Sequence, residues 1–121
     1  MGNNQTNIII YNTADGKAQV SLYANDGSAW MNQSQLATLF DTTKQNISLH
    51  LINILKEGEL TKESVVKDYL TTATDGKEYS VTFYSLDMIL AIGFRVRSKR
   101  GTQFRIWANK HLKEYLVKGF L

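Results

Sequence analysis

The sequence predicts a single α+β domain over residues 1–121, and three observations support this fold class. Two segments alternate apolar and polar residues as strands do, and each is interrupted by an Asp-Gly-Lys turn. Between them lie two helical patterns separated by a short turn, and two more helical patterns follow the second segment. Together these features predict a winged helix-turn-helix-like domain with an N-terminal β-hairpin, a wing hairpin and two C-terminal helices.

The first segment predicts the N-terminal hairpin. Residues 7–12 contain an Ile-Ile-Ile-Tyr run, and residues 18–23 alternate apolar with polar side chains. Between them, Asp15 and Gly16 favour a tight turn, because glycine permits a positive φ angle. We expect a loop from Gly27 to Trp30 before the first helix begins.

Residues 31–58 predict two helices joined by a tight turn. Asn32 and Gln35 have the spacing of a capping box, with Asn in place of Ser or Thr, at the start of the first helix. Thr42 and Gln45 repeat this spacing at the start of the second helix. The apolar stripe of the second helix consists of Ile47, Leu51, Ile54 and Leu55. The helix ends at Gly58. A helix-turn-helix uses this arrangement to set its second helix into the major groove of DNA.

An ordinary antiparallel helix pair is the alternative interpretation, because the sequence departs from the usual helix-turn-helix pattern in two places. The turn has Asp41 and Thr42 where glycine and an aliphatic residue are more common. Leu49 is apolar although it falls near the centre of the exposed face of the second helix. It either contacts a thymine methyl group or packs on a neighbouring element.

A second hairpin is predicted directly after the helix pair, in the position of a wing. Residues 65–72 and 78–84 are strand candidates on either side of Asp75 and Gly76. The returning strand shows the alternation of a strand buried on one side, with Tyr79, Val81 and Phe83 between Ser80, Thr82 and Tyr84.

The C-terminal third predicts two helices separated by a basic loop. Ser85 caps a short helix from Leu86 to Ile92, which ends at Gly93 and Phe94. The loop runs through Gly101, and a last helix extends from about Thr102 to Lys118. The apolar face of this last helix and its flanks are Phe104, Ala108, Leu112, Tyr115, Trp107 and Leu116.

Charge is distributed unevenly along the chain, whose net charge is +3. Residues 88–121 have a net charge of +7, whereas residues 1–87 have a net charge of −4. This asymmetry indicates an anionic partner, most commonly the phosphate backbone of nucleic acid, with a solvated basic helix as the alternative. Arg95 could instead pair with Asp87 or another acid. The predicted DNA-binding residues are Thr43, Lys44, Gln45, Asn46, Ser48, Lys77, Arg95, Arg97, Lys99, Arg100 and Arg105.

Several classes of function are not supported by the sequence. It has no cysteine, which excludes disulfides and thiolate metal sites, and its two histidines, His50 and His111, lack a zinc-binding spacing. No hydrolase, P-loop or dinucleotide motif is present, and Glu57 with Glu59 has the pattern of a solvated helix end. We therefore expect no enzyme activity, no cofactor, no metal and no small-molecule substrate. No apolar run approaches the roughly 20 residues that span a bilayer, so no membrane partner is expected.

Several motifs resemble the RhuM family of bacterial virulence-associated proteins. The resemblance covers about residues 8–120 and is carried by Trp30–Phe40, Gln45–His50, Glu57–Leu60, Tyr84–Ile89 and Gly93–Ala108. Members of that family are typically longer, so the chain resembles their N-terminal domain. The resemblance implies a bacterial cytoplasmic protein, associated with pathogenicity islands and mobile elements, that has a DNA-binding-like module. It supplies no catalytic residues.

Two functional hypotheses follow. The first is a double-stranded DNA-binding domain of transcriptional-regulator type. A homodimer is compatible with it, because many helix-turn-helix modules read paired half-sites, and the candidate contact residues are Leu49, Ile106 and Val117. The second is a protein-interaction or adaptor domain that docks an acidic partner or a C-terminal effector domain of a longer protein.

Overall fold

A computed structural model of the protein describes residues 7–25 and 27–112. Within these residues one antiparallel sheet has the strand order β1-β2-β3-β5-β4, and five helices accompany it. The strands are β1 (Asn7–Asn12), β2 (Gln19–Asn25), β3 (Ser28–Asn32), β4 (Val66–Thr72) and β5 (Glu78–Ser85). The helices are α1 (Gln33–Leu39), α2 (Lys44–Lys56), α3 (Lys62–Val65), α4 (Leu86–Val96) and α5 (Lys99–Trp107), and a π-helical turn, Ala108–Leu112, continues α5. The α+β class predicted from the sequence is confirmed.

The N-terminal hairpin forms as predicted. Strands β1 and β2 pair from Asn7 opposite Ala24 to Asn12 opposite Gln19. Gly16 has a φ of 73°, which explains why the turn requires glycine.

The segment predicted as a loop before the first helix is the central strand β3, so that prediction was wrong. Ala29, Trp30 and Met31 are all buried. Trp30 pairs with Tyr23 of β2 on one side and with Ser85 of β5 on the other. A strand covered on both faces and paired on both edges has no alternation of apolar and polar residues, and so it lacks the signal by which strands are predicted.

The helix pair forms, and the cap of its first helix is confirmed. The Gln35 amide donates to Asn32 Oδ1 at 2.9 Å, and the Asn32 amide donates to Gln35 Oε1 at 2.8 Å. Helix α2, however, is capped by Thr43 and not by Thr42, because Asp41 adopts the left-handed conformation with a φ of 54°. This lengthens the turn by one residue. Aspartate is one of the few residues other than glycine that tolerate this conformation.

Helix α2 ends as the sequence predicts. Gly58 has a φ of 77°, its amide donates to the Leu55 carbonyl, and the Glu59 amide donates to the Ile54 carbonyl. These are the two hydrogen bonds of a Schellman motif.

The second hairpin also forms, but β5 is not buried on one side as predicted. Residues 78–80 are exposed, and residues 81–84 are half-buried on both faces of the strand. The reason is that the end of the hairpin nearest its turn extends beyond the helices. The hairpin joins the N-terminal hairpin in one sheet, since β5 pairs with β3 as well as with β4. The short helix α3, which was not predicted, leads into β4.

The C-terminal helices differ from the prediction. Helix α4 continues to Val96 and α5 begins at Lys99, so the predicted basic loop is largely helical. The connection is only two residues long. Arg97 adopts the left-handed conformation with a φ of 54°, and Ser98 caps α5 by accepting a hydrogen bond from the Gly101 amide at 3.0 Å.

Gly93, which was predicted to end a helix, and Gly101, which was predicted to lie in the basic loop, serve close packing within helices instead. A β-carbon on Gly93 would lie 3.3 Å from the ring of Phe40. A β-carbon on Gly101 would lie 3.2 Å from the Gly93 carbonyl oxygen. Helices α4 and α5 therefore cross closely over the end of α1, and a packing role of this kind cannot be recognised from an isolated glycine in the sequence.

One hydrophobic core lies between the helices and one face of the sheet. Alternate strand residues such as Val20, Leu22 and Met31 contribute to it from the sheet. Helix α1 contributes Leu36 and Phe40, and the later helices contribute residues that the periodicity predicted, namely Ile47, Leu51, Ile54, Phe104, Ala108 and Leu112. The predicted continuation of the last helix to Lys118, with Tyr115, Leu116 and Val117, lies outside the described residues. None of the helices in the described part of the chain is long and apolar enough to cross a membrane.

Candidate nucleic-acid interface

The first turn of α2 is exposed and polar. The side chains of Thr43, Lys44 and Gln45 are exposed at this end of the helix. The Thr43 hydroxyl accepts a hydrogen bond from the Asn46 amide at 3.0 Å, which fixes where the helix begins. Asn46 is half-buried, and its side-chain amide donates to the Thr42 hydroxyl at 2.9 Å. Of the predicted residues in this turn, Lys44 and Gln45 are therefore the more accessible.

Helix α1 holds the first turn of α2 in place. The side-chain amide of Gln33 donates to the carbonyl oxygen of Lys44 at 2.8 Å. Phe40, at the end of α1, is 1% exposed and lies against Gly93 of α4. The exposed end of α2 is thus supported by buried contacts on its inner side.

A groove, which we call the α2–hairpin groove, separates α2 from the β4–β5 hairpin. It consists of two adjoining concavities of about 290 and 300 Å³ that share Gln33, Thr82 and Tyr84. Lys44 lines the first concavity, and Ser48 and Ile52 line the second. The other lining residues are Asn32, Ser34, Ser80 and Val81 in the first concavity, and Leu51, Leu55, Lys62, Val66 and Asp68 in the second. The predicted residues Lys44 and Ser48 are therefore brought alongside the hairpin.

Arg100 lies next to the turn between α1 and α2 and is tied to the body of the protein. Its side chain is 12% exposed; its Nε donates to Asp15 Oδ2 at 3.0 Å, and its Nη1 donates to the Thr38 carbonyl oxygen at 2.9 Å. It lines an open concavity of about 590 Å³ together with Lys17 and Thr42, among others. These contacts connect α5 to α1 and to the N-terminal turn.

The pKa of Asp15 is lowered by these surroundings. The hydrogen bond from the Thr13 hydroxyl has the largest effect, followed by that from the Lys17 backbone amide, and Arg100 contributes further. The carboxylate is therefore held in its charged form beside Arg100.

Arg95 forms ion pairs with Glu57 and Glu59. Its Nη2 lies 2.8 Å from Glu57 Oε1 and 3.0 Å from Glu59 Oε1. The hydrogen bond from Arg95 lowers the pKa of the Glu57 carboxyl, and the two glutamates raise the pKa of Arg95. Pairing of Arg95 with Asp87 or another acid was the alternative to phosphate binding, and the partners are the other acids, Glu57 and Glu59. No local pattern could identify partners that are 36 and 38 positions away in the chain.

Two arginines of the predicted basic segment consequently lie near opposite ends of α2. Arg100 contacts residues beside the start of that helix, and Arg95 contacts residues just after its end. A helix of 13 residues is about 20 Å long. The two arginines therefore do not form one continuous phosphate-binding strip.

The remaining predicted cations are more accessible. Arg97 and Lys99 are exposed, and Lys77 is exposed at the turn of the second hairpin. Arg105 is half-buried, with its guanidinium 4.6 Å from the centre of the Phe94 ring. Among the described residues, no ion pair involves Lys44, Lys77, Arg97 or Lys99.

The two histidines do not point to a site in the described part of the chain. His50 is half-buried, and its pKa is lowered mainly by burial and secondarily by the nearby charge of Arg95. Within residues 7–25 and 27–112, no group of three His, Cys, Asp or Glu residues lies close enough together to hold a metal ion.

Comparison with known proteins gives one match. The family model described as the virulence protein RhuM family matches residues 64–121, slightly less than half of the chain. No curated protein and no solved structure matches the chain. The resemblance is confirmed for the matched region, which includes the motifs Tyr84–Ile89 and Gly93–Ala108. The motifs in the helix pair precede that region.

Proposed function

We propose that this chain is a double-stranded DNA-binding domain of transcriptional-regulator type. The premise is that residues 64–121 belong to the virulence protein RhuM family. The proposal includes a bacterial cytoplasmic setting and a binding role without catalysis. Helix α2 would enter the major groove, and the β4–β5 hairpin would lie beside it as a wing.

The observation that supports this proposal best is the arrangement of α2. Its first turn exposes Thr43, Lys44 and Gln45, and one side of the helix borders the α2–hairpin groove. The buried inner side of the helix pair gives this turn a fixed position, which base recognition requires.

The proposed contacts follow from the chemistry of the exposed groups. Gln45 would form paired hydrogen bonds with an adenine edge, and Lys44 would contact a phosphate. Arg97 and Lys99, at the start of α5, and Lys77, at the hairpin turn, would add phosphate contacts. Arg95 and Arg100 would act indirectly, by holding α4 and α5 against the helix pair.

Charge reversal at Lys44 tests the proposal. We expect Lys44→Glu to weaken binding to genomic DNA fragments and to lower the slope of log affinity against log salt concentration by about 1, because one phosphate contact is lost. The measurement is fluorescence anisotropy at several salt concentrations. Lys56→Glu is the matched control, since Lys56 is an exposed lysine at the opposite end of the same helix.

Two results would count against the proposal. Equal losses in Lys44→Glu and Lys56→Glu would indicate a diffuse charge effect and not docking through the first turn of α2. No binding by the unmodified protein at low salt would favour the second candidate function, a protein-interaction domain. The exposed apolar residues of α2 and the second hairpin, Leu49, Ile52 and Leu70, are the observation that supports this second candidate.

A further inference from the structure

Two large apolar side chains are exposed on α2, the helix that the proposed function assigns to DNA. Leu49 is 55% exposed and Ile52 is 58% exposed. Leu49 follows Gln45 by four positions, so the two share one side of the helix, about 6 Å apart along its axis. Ile52 lies three positions further on and lines the α2–hairpin groove.

The groups around Leu49 favour a nucleic-acid occupant over a protein partner. Lys44 lies at the start of α2 and is exposed. Lys62 lines the groove beside Ile52, while Asp68 is the one acidic group among the groove's lining residues and accepts a hydrogen bond from the Thr82 hydroxyl at 2.6 Å. An exposed leucine that has Lys44 on its own helix and Lys62 along the adjoining groove complements a base edge flanked by phosphates.

The major groove offers few apolar groups for a leucine side chain. Adenine, guanine and cytosine present hydrogen-bond donors and acceptors there, whereas thymine also presents its 5-methyl group. Base pairs are stacked about 3.4 Å apart, so a residue 6 Å along the helix from Gln45 reaches a base pair one or two steps away. Leu49 and Gln45 can therefore contact neighbouring base pairs at the same time.

We propose that Leu49 recognises the methyl group of a thymine one or two base pairs from the base that Gln45 contacts. This inference rests on the proposed function. The bound DNA site would then contain a thymine that the protein recognises by its methyl group and not by its hydrogen-bonding groups.

Substitution of thymine by deoxyuridine tests the inference, because only the methyl group is removed. A bound duplex is first selected from a random-sequence library with the full chain. Each thymine is then replaced in turn, and the dissociation constant is measured. We expect replacement of one thymine to weaken binding about fourfold, the effect of one buried methyl-sized group. In Leu49→Ala the thymine and deoxyuridine duplexes should bind equally.

Ile52→Ala is the matched control, because Ile52 is as exposed as Leu49 but lies about 10 Å from Gln45 along the helix axis, beyond the base pair assigned to Leu49. This variant should keep the fourfold difference, and circular dichroism should confirm that both variants are folded. Binding of duplex DNA with no deoxyuridine effect, or an effect abolished by Ile52→Ala and not by Leu49→Ala, would overturn the inference and leave the proposed function intact. Absence of duplex binding by the unmodified protein would overturn both.

Discussion

The two β-hairpins of this protein close with the same Asp-Gly-Lys residues, yet they relate differently to the rest of the molecule. In both turns the aspartate accepts a hydrogen bond from the lysine amide at 2.9 Å, and glycine has a positive φ angle. Asp15 of the first turn also pairs with Arg100 of α5. Asp75 of the second turn instead accepts a hydrogen bond from the Tyr79 hydroxyl within its own hairpin.

This comparison shows that turn residues determine the local conformation but not the role of the hairpin. The first hairpin supplies Val20 and Leu22 to the core and is joined to α5 through its turn. The second extends beyond the core, so that Leu70 is 72% exposed. The first hairpin is therefore joined to the helices at its turn, whereas the turn end of the second is exposed.

The largest expected difference between the hairpins is in the cost of removing a leucine side chain. Leu22→Ala should lower the free energy of unfolding by about 3 kcal/mol, because the buried side chain leaves a cavity. Leu70→Ala should change it by less than about 0.5 kcal/mol. Urea unfolding followed by circular dichroism measures both. Similar losses in the two variants would show that the second hairpin is packed in the folded protein.

A smaller difference is expected from the turns. Arg100→Ala should lower the free energy of unfolding by roughly 1–2 kcal/mol, because the Thr38 carbonyl loses the shorter of its hydrogen bonds and a largely buried side chain is removed. Lys77→Ala, in the other turn, should have no measurable effect on stability. The same urea titrations compare them. An unchanged midpoint in Arg100→Ala would contradict the assignment of a structural role to this arginine.

The smallest effect expected is a difference in acid sensitivity. The folded-state pKa of Asp15 is lowered by hydrogen bonds from Thr13 and Lys17 and by Arg100, and that of Asp75 by the Lys77 amide and Tyr79. A lowered pKa adds stability above the unfolded-state value near 3.8, and this stability is lost as the pH falls through the folded-state pKa.

Asp15→Asn should therefore be less stable than the unmodified protein at pH 7. This gap in the free energy of unfolding should narrow as the pH falls below 4. Asp75→Asn should show the same trend with a smaller gap, because no arginine is paired with Asp75 in the described residues. Urea titrations between pH 2 and 7 measure the two gaps. A gap for Asp15→Asn that is independent of pH would contradict this account.

Features determined by neighbouring residues could be predicted from the sequence. The Asn32 and Gln35 capping box, the buried stripe of α2 and both hairpin turns depend on residues a few positions apart. Thr43, Lys44 and Gln45 were expected at the exposed start of α2, and they are found there.

Features determined by distant residues could not be predicted in this way. Strand β3 lacks alternation because it is covered on both faces, and Gly93 resembles a helix end although it makes room for Phe40. The partners of Arg95 and Arg100 are brought close only by the folded chain. The exposed position of the candidate residues on α2 could therefore be predicted, whereas the separation of the basic residues by their ion pairs could not.

The position of β5 has a consequence for excising the family-matched region. Residues 64–121 contain both strands of the second hairpin, but β5 also pairs with β3, which precedes residue 64. A fragment restricted to the matched residues would leave β5 with an unpaired edge and would lose Phe40 from beneath the crossing of α4 and α5. The boundary of the sequence match therefore passes through one sheet and one hydrophobic core, and a stable recombinant fragment should retain the N-terminal hairpin and the helix pair.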